Sequence, residues 1–381
     1  MRILIATEFF PESASAEITG GVESRAFYIA KELAKTNPVY IITSRRPNSK
    51  KEVSFLGMKI LRVGPEYEYT QTGHLLKRLL FSLSAVQKAG ELMQKEKIEV
   101  VDGYSFFAYP LSLFASVKNL KSFLTYHEVW IGSWAKNTDK RGIFGEISER
   151  IVLLVSRLRN LRFIAVSDFT KHVLIENNIP SNRISVIPNG VSLSDYDKIK
   201  AAKSKNPTIC FMGRLTKNKR LEDLILAIGK LREEHKNLRC LIIGSGSEEA
   251  NLKRLVKDLG LESCVDFTGF LKTHTLVLRK LRSSHLFCSP SVVEGFGITL
   301  VEAIAMGIPF VCSDIAPFRE ISGGKGGLHF KSRDSADLAS KLRLLMDNKA
   351  LYQRCISEEK VLSQRFDWAK LAKKIEEEYK R

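Results

Sequence analysis

Short apolar runs alternate with segments of helical periodicity along most of this chain of 381 residues. The first run, residues 3–6, is followed by a Gly20-Gly21 turn and by an amphipathic stretch at 22–34, which together predict a strand, a glycine loop and a helix. Strands joined through helices run parallel, and helices then cover both faces of the sheet. The alternation therefore predicts an α/β fold built from parallel, doubly wound sheets.

The apolar runs fall into two series separated by a polar connection. The first series continues with 39–43, a run that ends with Val100 and Val101, 123–126 and 162–166. The second series comprises 208–212, 239–243, 265–268, 285–288 and 309–312. Between them, a Pro188-Asn189-Gly190 turn and a segment rich in Lys and Ser indicate a linker. We therefore predict domains at 1–191 and 192–363, followed by a terminal segment at 364–381. Within it, an amphipathic helix at 366–379 is predicted from the helical spacing of Phe366, Trp368, Leu371, Ile375 and Tyr379.

Composition limits the classes of partner. The 60 Lys and Arg exceed the 42 Asp and Glu by 18, a balance that suits nucleic acid, an anionic membrane surface or a phosphorylated substrate without choosing among them. No apolar run approaches the ~20 residues of a membrane span, and the start lacks the features of a signal peptide. We therefore expect a cytoplasmic protein. The six cysteines form no C-x-x-C pair and are predicted to be reduced core thiols.

The most informative segment is 289–309, in which an apolar run ends, two glycines free the backbone and a helix is predicted to begin. The first N–H groups of a helix have no carbonyl partner within the helix, and they lie at the positive end of its dipole. The backbone at Phe296, Gly297, Ile298 and Thr299 is therefore predicted to bind phosphate oxygens.

Two carboxylates flank this predicted phosphate site. Glu294 stands directly before the loop, and Glu302 is expected about two turns into the helix. Because a carboxylate repels a phosphate, hydroxyl groups of a ribose or a hexose fit both glutamates better as partners. Spacing alone leaves open the alternative of a helix with two solvated glutamates.

A basic loop follows the first run of the second series. Gly213 and Arg214 come directly after that run, and Lys219 and Arg220 precede a predicted helix. The guanidinium of Arg214 can hold a diphosphate through bidentate contacts, and Lys219 adds a movable charge, so the pair is predicted to stabilise a leaving diphosphate. The alternative is a basic loop without a ligand, although cations at a helix start oppose the dipole.

Four shorter signals are less specific. Gly20 and Gly21 lie in a strand-to-helix turn, where a backbone can approach a ligand, but glycine pairs are also frequent in ordinary turns. Gly244-Ser245-Gly246 predicts a turn near a ligand and not a nicotinamide site, since the third glycine is missing. His127 follows a predicted strand as either a ligand contact or a structural histidine. Asp195-Tyr196-Asp197 has the D-x-D form of some metal sites but lies in the linker, so no metal site is predicted.

Four of these elements together resemble the retaining glycosyltransferases. They are E-G-F-G-x-x-x-x-E from Glu294, G-R-L-x-x-x-K from Gly213, G-G-V-E from Gly20 and T-Y-H-E from Thr125. The chain is similar to the large GT-B family that includes phosphatidylinositol mannosyltransferases, sucrose synthases and lipopolysaccharide glucosyltransferases. The resemblance implies two Rossmann-like domains that face each other across a cleft, with a C-terminal helix that crosses back to the first domain.

The resemblance also implies a role for each matching residue. In the second, nucleotide-sugar-binding domain, Arg214 and Lys219 would bind the donor diphosphate, Glu302 the ribose hydroxyls, Glu294 the transferred sugar, and the backbone of Phe296, Gly297, Ile298 and Thr299 the phosphate and sugar. In the first, acceptor-side domain, Gly20 and Gly21 would complete the phosphate site, and His127 would contact the sugar near its reacting carbon. The family's base-contacting loop is expected at 267–271, which includes Phe270. The chain departs from the family pattern at Ser192 and Glu128, where Asp is usual.

The activity implied by the resemblance is transfer of a hexose, with retention, from a nucleoside-diphosphate sugar to a hydroxyl acceptor. No metal and no other cofactor is expected, and nucleic acid is not expected as a partner. Two alternatives stay open: a nucleotide-sugar epimerase or phosphorylase of the same architecture, and a non-catalytic basic binding protein.

Two basic amphipathic segments, 74–83 and 136–162, lie in the predicted acceptor-side domain. Cations near an anionic bilayer contribute ~1 kcal/mol each, and neighbouring apolar side chains can insert shallowly. We therefore expect peripheral contact with an anionic membrane and an acceptor that is lipid-linked or a cell-envelope glycan. The alternative is that the apolar residues face the core and the cations are solvated.

Overall fold

The computed structural model describes residues 1–381 except 15, 17, 19, 69–73, 133–141 and 160. The chain divides into two compact units, one formed by Met1–Asn189 with Trp368–Arg381 and the other by Gly190–Asp367. The division thus falls at 189/190 and 367/368, whereas the sequence pattern predicts 191/192 and 363/364.

An eight-stranded sheet lies at the centre of the first unit. Its strands are β1 (Ile3–Ala6), β2 (Val39–Arg45), β3 (Glu52–Phe55), β4 (Met58–Glu66), β5 (Val100–Gly103), β6 (Lys121–Tyr126), β7 (Arg162–Ala165) and β8 (Ile184–Val186). The helices in this stretch are α1 (Gly21–Leu33), α2 (Leu75–Lys95), α3 (Tyr109–Val117), α4 (Gly142–Leu158) and α5 (Asp168–Glu176). The strand order is β3-β4-β2-β1-β5-β6-β7-β8. Every neighbouring pair is parallel except the β3–β4 hairpin.

The second unit contains a six-stranded, wholly parallel sheet. Its strands are β9 (Thr208–Met212), β10 (Arg239–Ile243), β11 (Val265–Gly269), β12 (Leu286–Ser289), β13 (Phe310–Ser313) and β14 (Gly327–Phe330). The helices are α6 (Leu193–Tyr196), α7 (Leu221–Arg232), α8 (Glu249–Asp258), α9 (His274–Ser283), α10 (Ile298–Ala305), α11 (Ala316–Ser322), α12 (Ser335–Asp347) and α13 (Lys349–Leu362). The order is β11-β10-β9-β12-β13-β14. The chain adds β10 and β11 on one side of β9 and then β12, β13 and β14 on the other side, so the strand order reverses between β9 and β12. Ligands of doubly wound sheets bind beside the carboxyl ends of the strands at this reversal.

The last helix, α14 (Trp368–Lys380), belongs to the first unit. Trp368, Leu371, Ile375 and Tyr379 are buried at the predicted helical spacing and pack in the same core as β1 and α1. The helix begins two residues later than the pattern indicated, because Phe366 lies in a preceding 3-10 turn. The predicted return of the C-terminal helix to the first domain is confirmed.

Strand β1 shows why the apolar runs are continuous rather than alternating. Ile3 and Ile5 pack into a core that includes residues of α1 and α14, whereas Leu4 and Ala6 pack into a second core that includes residues of α2 and α3. All four side chains are fully buried. Both faces of the sheet are therefore covered, as in other parallel α/β sheets.

The structure corrects one strand and adds four. Val100 and Val101 begin β5, which runs on to Gly103, and do not end it. The sequence pattern gave no sign of β3, β4, β8 or β14. In β4, Lys59 and Arg62 interrupt the apolar run, and β3 alternates between exposed and half-buried residues, as expected of an edge strand.

All six cysteines are buried and unpaired, which confirms the prediction of core thiols. Burial raises the pKa of Cys240, Cys288 and Cys312 well above the usual thiol value. These thiols therefore stay protonated at neutral pH and are poor nucleophiles.

Candidate active site

The loops that follow β9 and β12 meet at the reversal point of the second sheet. Val292 N donates a hydrogen bond to Asn218 O (2.9 Å), and Asn218 Nδ2 donates to Val293 O (3.4 Å). These bonds join the basic loop at 213–220 to the loop at 290–297. The two motifs that the sequence singled out therefore lie side by side at the carboxyl ends of their strands.

Lys219 and Glu294 form an ion pair between these two loops. Lys219 Nζ donates to Glu294 Oε1 at 2.6 Å, and the two side chains are only 15% and 13% exposed. Lys219 ends the short 3-10 turn Lys217–Lys219, which places it opposite Glu294. A half-buried pair is less screened than a surface pair, so the contact holds both side chains in place. The sequence predicted both residues but not their contact.

The other cations of the basic loop divide into two kinds. Arg214 is exposed on the same loop as Lys219. Arg220 has a left-handed backbone (φ +50°), and its guanidinium contacts Glu222 and Asp223 in the first turn of α7, at 2.6 and 2.8 Å. These acids offset the unfavourable position of Arg220 at the helix start. Arg220 is therefore paired with acids of its own helix, whereas Lys219 pairs with Glu294 of the neighbouring loop.

Gly297 shapes the start of α10. Its φ is +106°, and an added Cβ would lie 2.6 Å from Cε1 of the buried Phe318 ring. Only glycine fits this combination of backbone and space. The helix begins with Ile298 and Thr299, whose amides are at the N-terminal end as predicted. Phe296 is buried and packs near Phe366, with ring centroids 6.3 Å apart, so its ring belongs to the interior.

Glu302 lies one turn into α10, not the two turns expected, because the helix begins at Ile298 rather than earlier in the segment. Its side chain is 10% exposed. The Tyr196 hydroxyl donates to Glu302 Oε1 at 3.1 Å, and Nε2 of His274 lies 3.0 Å from the same oxygen. Neither neighbour was predicted from the sequence. The Glu302 carboxylate is thus buried and contacted by two side chains, and it is not the solvated glutamate of the alternative interpretation.

The glycines of the loop after β10 allow this loop to pack closely against the basic loop. A Cβ added at Gly244 would lie 2.0 Å from Gly213 O, and a Cβ added at Gly246 would lie 2.3 Å from Leu215 O. Gly213 N also donates to Ile243 O at 3.0 Å. The loop after β10 therefore supports the basic loop directly, and both glycines are required by that contact.

Phe270 follows β11 and is 75% exposed. The preceding Gly269 has φ +67°, and its carbonyl accepts a hydrogen bond from Gly244 N (3.0 Å). The predicted base-contacting loop thus lies at the carboxyl edge of the second sheet, with an aromatic ring presented to solvent.

His127 follows β6 in the first unit. Its Nε2 atom is buried and has no hydrogen-bond partner within the described part of the chain. Burial, with a smaller effect of the nearby Arg25 charge, lowers the pKa of His127 to about 3. The imidazole is therefore neutral at physiological pH and can accept or donate one hydrogen bond.

Gly20 and Gly21 stand at the start of α1, where Gly20 has an extended backbone that any residue can adopt. An added Cβ at Gly21 would meet no atom within 4 Å. The described part of the first unit therefore gives no steric reason for glycine at position 21, and the space beside its backbone is open.

No three His, Cys, Asp or Glu side chains are grouped to hold a metal ion among the residues that the structure describes. Asp195 of the D-x-D triplet accepts hydrogen bonds from Ser192 Oγ (2.7 Å) and Lys198 Nζ (2.8 Å). Its carboxylate is thus engaged in local contacts at the start of α6.

Two family models together cover most of the chain. Residues 194–361 match glycosyl transferases group 1, and residues 19–195 match Glycosyltransferase Family 4. An uncharacterized glycosyltransferase of Methanocaldococcus jannaschii is 28% identical over 341 residues, which are 84% of this chain and 82% of that protein. A phosphatidyl-myo-inositol mannosyltransferase of Mycobacterium leprae is 32% identical over 221 residues, 56% of this chain and 57% of the relative.

Solved structures agree on the fold. Sucrose-phosphate synthase from Thermosynechococcus elongatus matches 100% of this chain and 98% of its own, with a TM-score of 0.78 and 17% identity. HepE of Anabaena, in complex with UDP and glucose, matches 99% of this chain and 98% of its own, with a TM-score of 0.72 and 19% identity. Fold and motifs define a glycosyltransferase of the GT-B class. More particularly, residues 194–361 carry the pattern of the glycosyl transferases group 1 and residues 19–195 that of Glycosyltransferase Family 4, which confirms the resemblance found in the sequence.

Proposed function

We propose that this glycosyltransferase transfers a hexose, with retention, from a nucleoside-diphosphate sugar to a hydroxyl acceptor, without a metal. The observation that carries the proposal is the Lys219–Glu294 pair, which lies beside a glycine-dependent helix start at the sheet reversal. A cation, helix-start amides and a carboxylate in one place match the three parts of such a donor: diphosphate, glycosidic oxygen and sugar hydroxyls. The UDP and glucose bound to HepE, a protein of the same fold, support this assignment.

Donor binding would exchange the partners of this ion pair. The diphosphate replaces Glu294 as the ion-pair partner of Lys219, and Arg214 on the same loop adds a second cation. The released Glu294 accepts hydrogen bonds from sugar hydroxyls, while Glu302 accepts them from the ribose. Before the donor arrives, the ion pair keeps both side chains beside the proposed donor site.

In the proposed transfer, the bond between the sugar C1 and the β-phosphate oxygen breaks, and its electron pair remains on the departing diphosphate. The acceptor hydroxyl oxygen forms the new bond to C1 from the same face, and its proton passes to the leaving phosphate oxygen. Lys219, Arg214 and the amides at Ile298 and Thr299 stabilise the charge of the diphosphate. For the first unit, we keep Gly21 and the neutral His127 as proposed donor-contacting residues, as the family pattern implies.

Product analysis with site variants tests this proposal. UDP-, GDP- and ADP-hexoses are incubated with candidate acceptors, and NMR of the product's anomeric proton separates a retained glycoside from an epimer or a sugar phosphate. Lys219→Ala and Glu294→Ala should each lower turnover by about two orders of magnitude. Lys217→Ala removes an exposed lysine of the same turn and should leave turnover unchanged. Wild-type turnover in either folded site variant would refute the proposed donor site.

We further propose an acceptor that is lipid-linked or lies at a membrane surface. None of the helices in the described ranges is long and apolar enough to cross a membrane. Two helices of the first unit nevertheless expose apolar faces. On α2 the exposed side chains include Leu76, Leu79 and Leu83. On α4 they are Ile143, Ile147, Ile151, Leu154 and Leu158, which recur on one helical face.

These exposed faces argue against the alternative that all apolar residues of the two segments belong to the core. Within α4 the core interpretation holds for Val152 and Leu153, but Ile151 and Leu154 are 53% and 52% exposed. The chain's excess of 18 positive charges favours an anionic bilayer as the occupant of such a surface. Residues 136–141 and 160 of the predicted basic segment lie outside the described residues.

Sedimentation with vesicles of phosphatidylcholine and phosphatidylglycerol tests the membrane contact. Wild type should bind, and a variant with Ile147→Asp and Leu154→Asp should lose most of its binding. Val361→Asp changes a side chain that is 74% exposed on α13 of the second unit and should bind like wild type. No binding by wild type, together with efficient transfer to a water-soluble acceptor, would refute the membrane proposal while leaving the donor site intact.

A further inference from the structure

The contacts of Glu302 assign its two carboxylate oxygens to different tasks. Oε1 accepts from the Tyr196 hydroxyl (3.1 Å) and lies 3.0 Å from His274 Nε2. Tyr196 and His274 also contact each other, with 3.2 Å between the hydroxyl and Nε2. Oε2 has no hydrogen-bond donor within the part of the chain that the structure describes. Oε2 is not among the buried polar atoms that lack a partner, so solvent reaches it and it can accept a hydrogen bond from a ligand.

The two neighbours come from different elements, Tyr196 with a buried ring and His274 with a side chain that is 42% exposed. Tyr196 ends the short helix α6 and is 7% exposed, so its hydroxyl is held by the packing of its ring. His274 is the first residue of α9, and the side chain of the preceding Thr273 caps that helix by accepting from Leu276 N (3.2 Å). Two separate elements therefore converge on one oxygen of Glu302. Such convergence limits the rotation of the carboxylate.

We propose that Tyr196 and His274 are positioning residues that hold Glu302 by Oε1 and leave Oε2 as the single oxygen that receives the donor's ribose hydroxyls. This inference rests on the proposed donor site. It adds two residues to the site and a consequence for specificity: recognition of the ribose depends on the orientation of one oxygen. When either neighbour is removed, Glu302 can rotate, and the site loses its preference for a ribose over a 2′-deoxyribose.

The test uses the full-length protein and isothermal titration with UDP, GDP and ADP, together with their 2′-deoxy forms. For the diphosphate that binds wild type, the 2′-deoxy form should bind roughly tenfold more weakly, in line with the loss of a hydrogen bond to a charged group. Tyr196→Phe and His274→Gln should each weaken binding of the ribose form about five- to tenfold and reduce the 2′-deoxy discrimination to less than about threefold. In turnover, these variants should raise KM for the donor and leave kcat within about twofold.

Two controls separate positioning from a general loss of structure. Tyr352→Phe removes another tyrosine hydroxyl of the same unit, one that donates to His285 O at 3.0 Å, and should leave discrimination at the wild-type value. In a Glu302→Ala background, Tyr196→Phe should change the Kd by less than twofold, because the residue acts through Glu302. Melting temperatures confirm that each variant is folded.

Four outcomes overturn the inference. If Tyr196→Phe and His274→Gln keep wild-type discrimination while wild type binds a diphosphate, the positioning role is wrong and the donor site stands. If Tyr196→Phe acts equally with and without Glu302, the role does not pass through that carboxylate. If kcat falls as much as KM rises, the two residues affect more than the position of Glu302. If wild type binds none of the three diphosphates, the proposed donor site fails together with the inference.

Discussion

Replacing Gly297 with alanine should damage the candidate site through the backbone alone. At φ +106° an L residue is strained by about 1–3 kcal/mol. The added Cβ would also lie 2.6 Å from Phe318 Cε1, and this ring is fully buried and cannot withdraw freely. Crowding of this kind costs about 1–3 kcal/mol. We therefore expect Gly297→Ala to lower the free energy of unfolding of the second unit by about 3 kcal/mol.

Gly307→Ala is the matched control. Gly307 follows the other end of α10, has φ +65°, and an added Cβ there meets no atom within 4 Å. Only the left-handed backbone is penalised, at about 1 kcal/mol. The two variants carry the same chemical change at opposite ends of one helix, so their difference, about 2 kcal/mol, isolates the crowding and the additional strain at Gly297.

Native-state hydrogen exchange measures this difference within the second unit. Amides of β13, in the core of that sheet, should exchange roughly 30-fold faster in Gly297→Ala than in Gly307→Ala, since each 1.4 kcal/mol corresponds to a factor of ten. Gly297→Ala should also weaken nucleoside diphosphate binding at temperatures where the variant is folded. Equal exchange rates in the two variants would show that the helix start accommodates a side chain, and the steric reasoning would be refuted.

Three further predictions follow from the charges. EDTA should leave turnover unchanged, because Arg214 and Lys219 of the basic loop supply the charge that a metal otherwise provides; loss of activity that Mg²⁺ or Mn²⁺ restores would contradict this. Since burial raises the pKa of Glu8 from 4.5 to about 7, wild type should lose stability as pH rises through this window, and Glu8→Gln should gain roughly 2 kcal/mol relative to wild type between pH 5 and 8, measured by urea denaturation. A constant difference would refute the burial argument. Because His127 stays neutral, the pH–rate profile of His127→Gln should run parallel to that of wild type between pH 5.5 and 8; a wild-type inflection near 6.5 that the variant lacks would argue otherwise.

The sequence predicted the sheet architecture because burial on both faces leaves a readable trace. Runs such as Ile3–Ala6 and Thr208–Met212 are continuous and apolar, and both are strands with these bounds. The strand Met58–Glu66 was missed because Lys59 and Arg62 break its apolar run, although its neighbour β2 pairs with it along most of its length. Strand pairing of this kind is a property of the sheet and leaves no local pattern.

The sequence likewise predicted the members of the site better than their contacts. Lys219 and Glu294 each stood in a motif, but their ion pair depends on two loops that are 75 residues apart. Tyr196 and His274 carried no motif of their own, and the Tyr196 hydroxyl reaches Glu302 across 106 residues. Side-chain contacts between distant elements follow from packing, and one sequence does not encode them locally.

A crystal structure of the protein with a bound nucleoside diphosphate would locate the donor site. We predict that the diphosphate contacts Lys219 Nζ and the amides at Ile298 and Thr299, that the 2.6 Å Lys219–Glu294 contact opens, and that Glu302 Oε2 accepts a ribose hydroxyl. A diphosphate bound elsewhere, with the Lys219–Glu294 pair intact, would refute the proposed donor site.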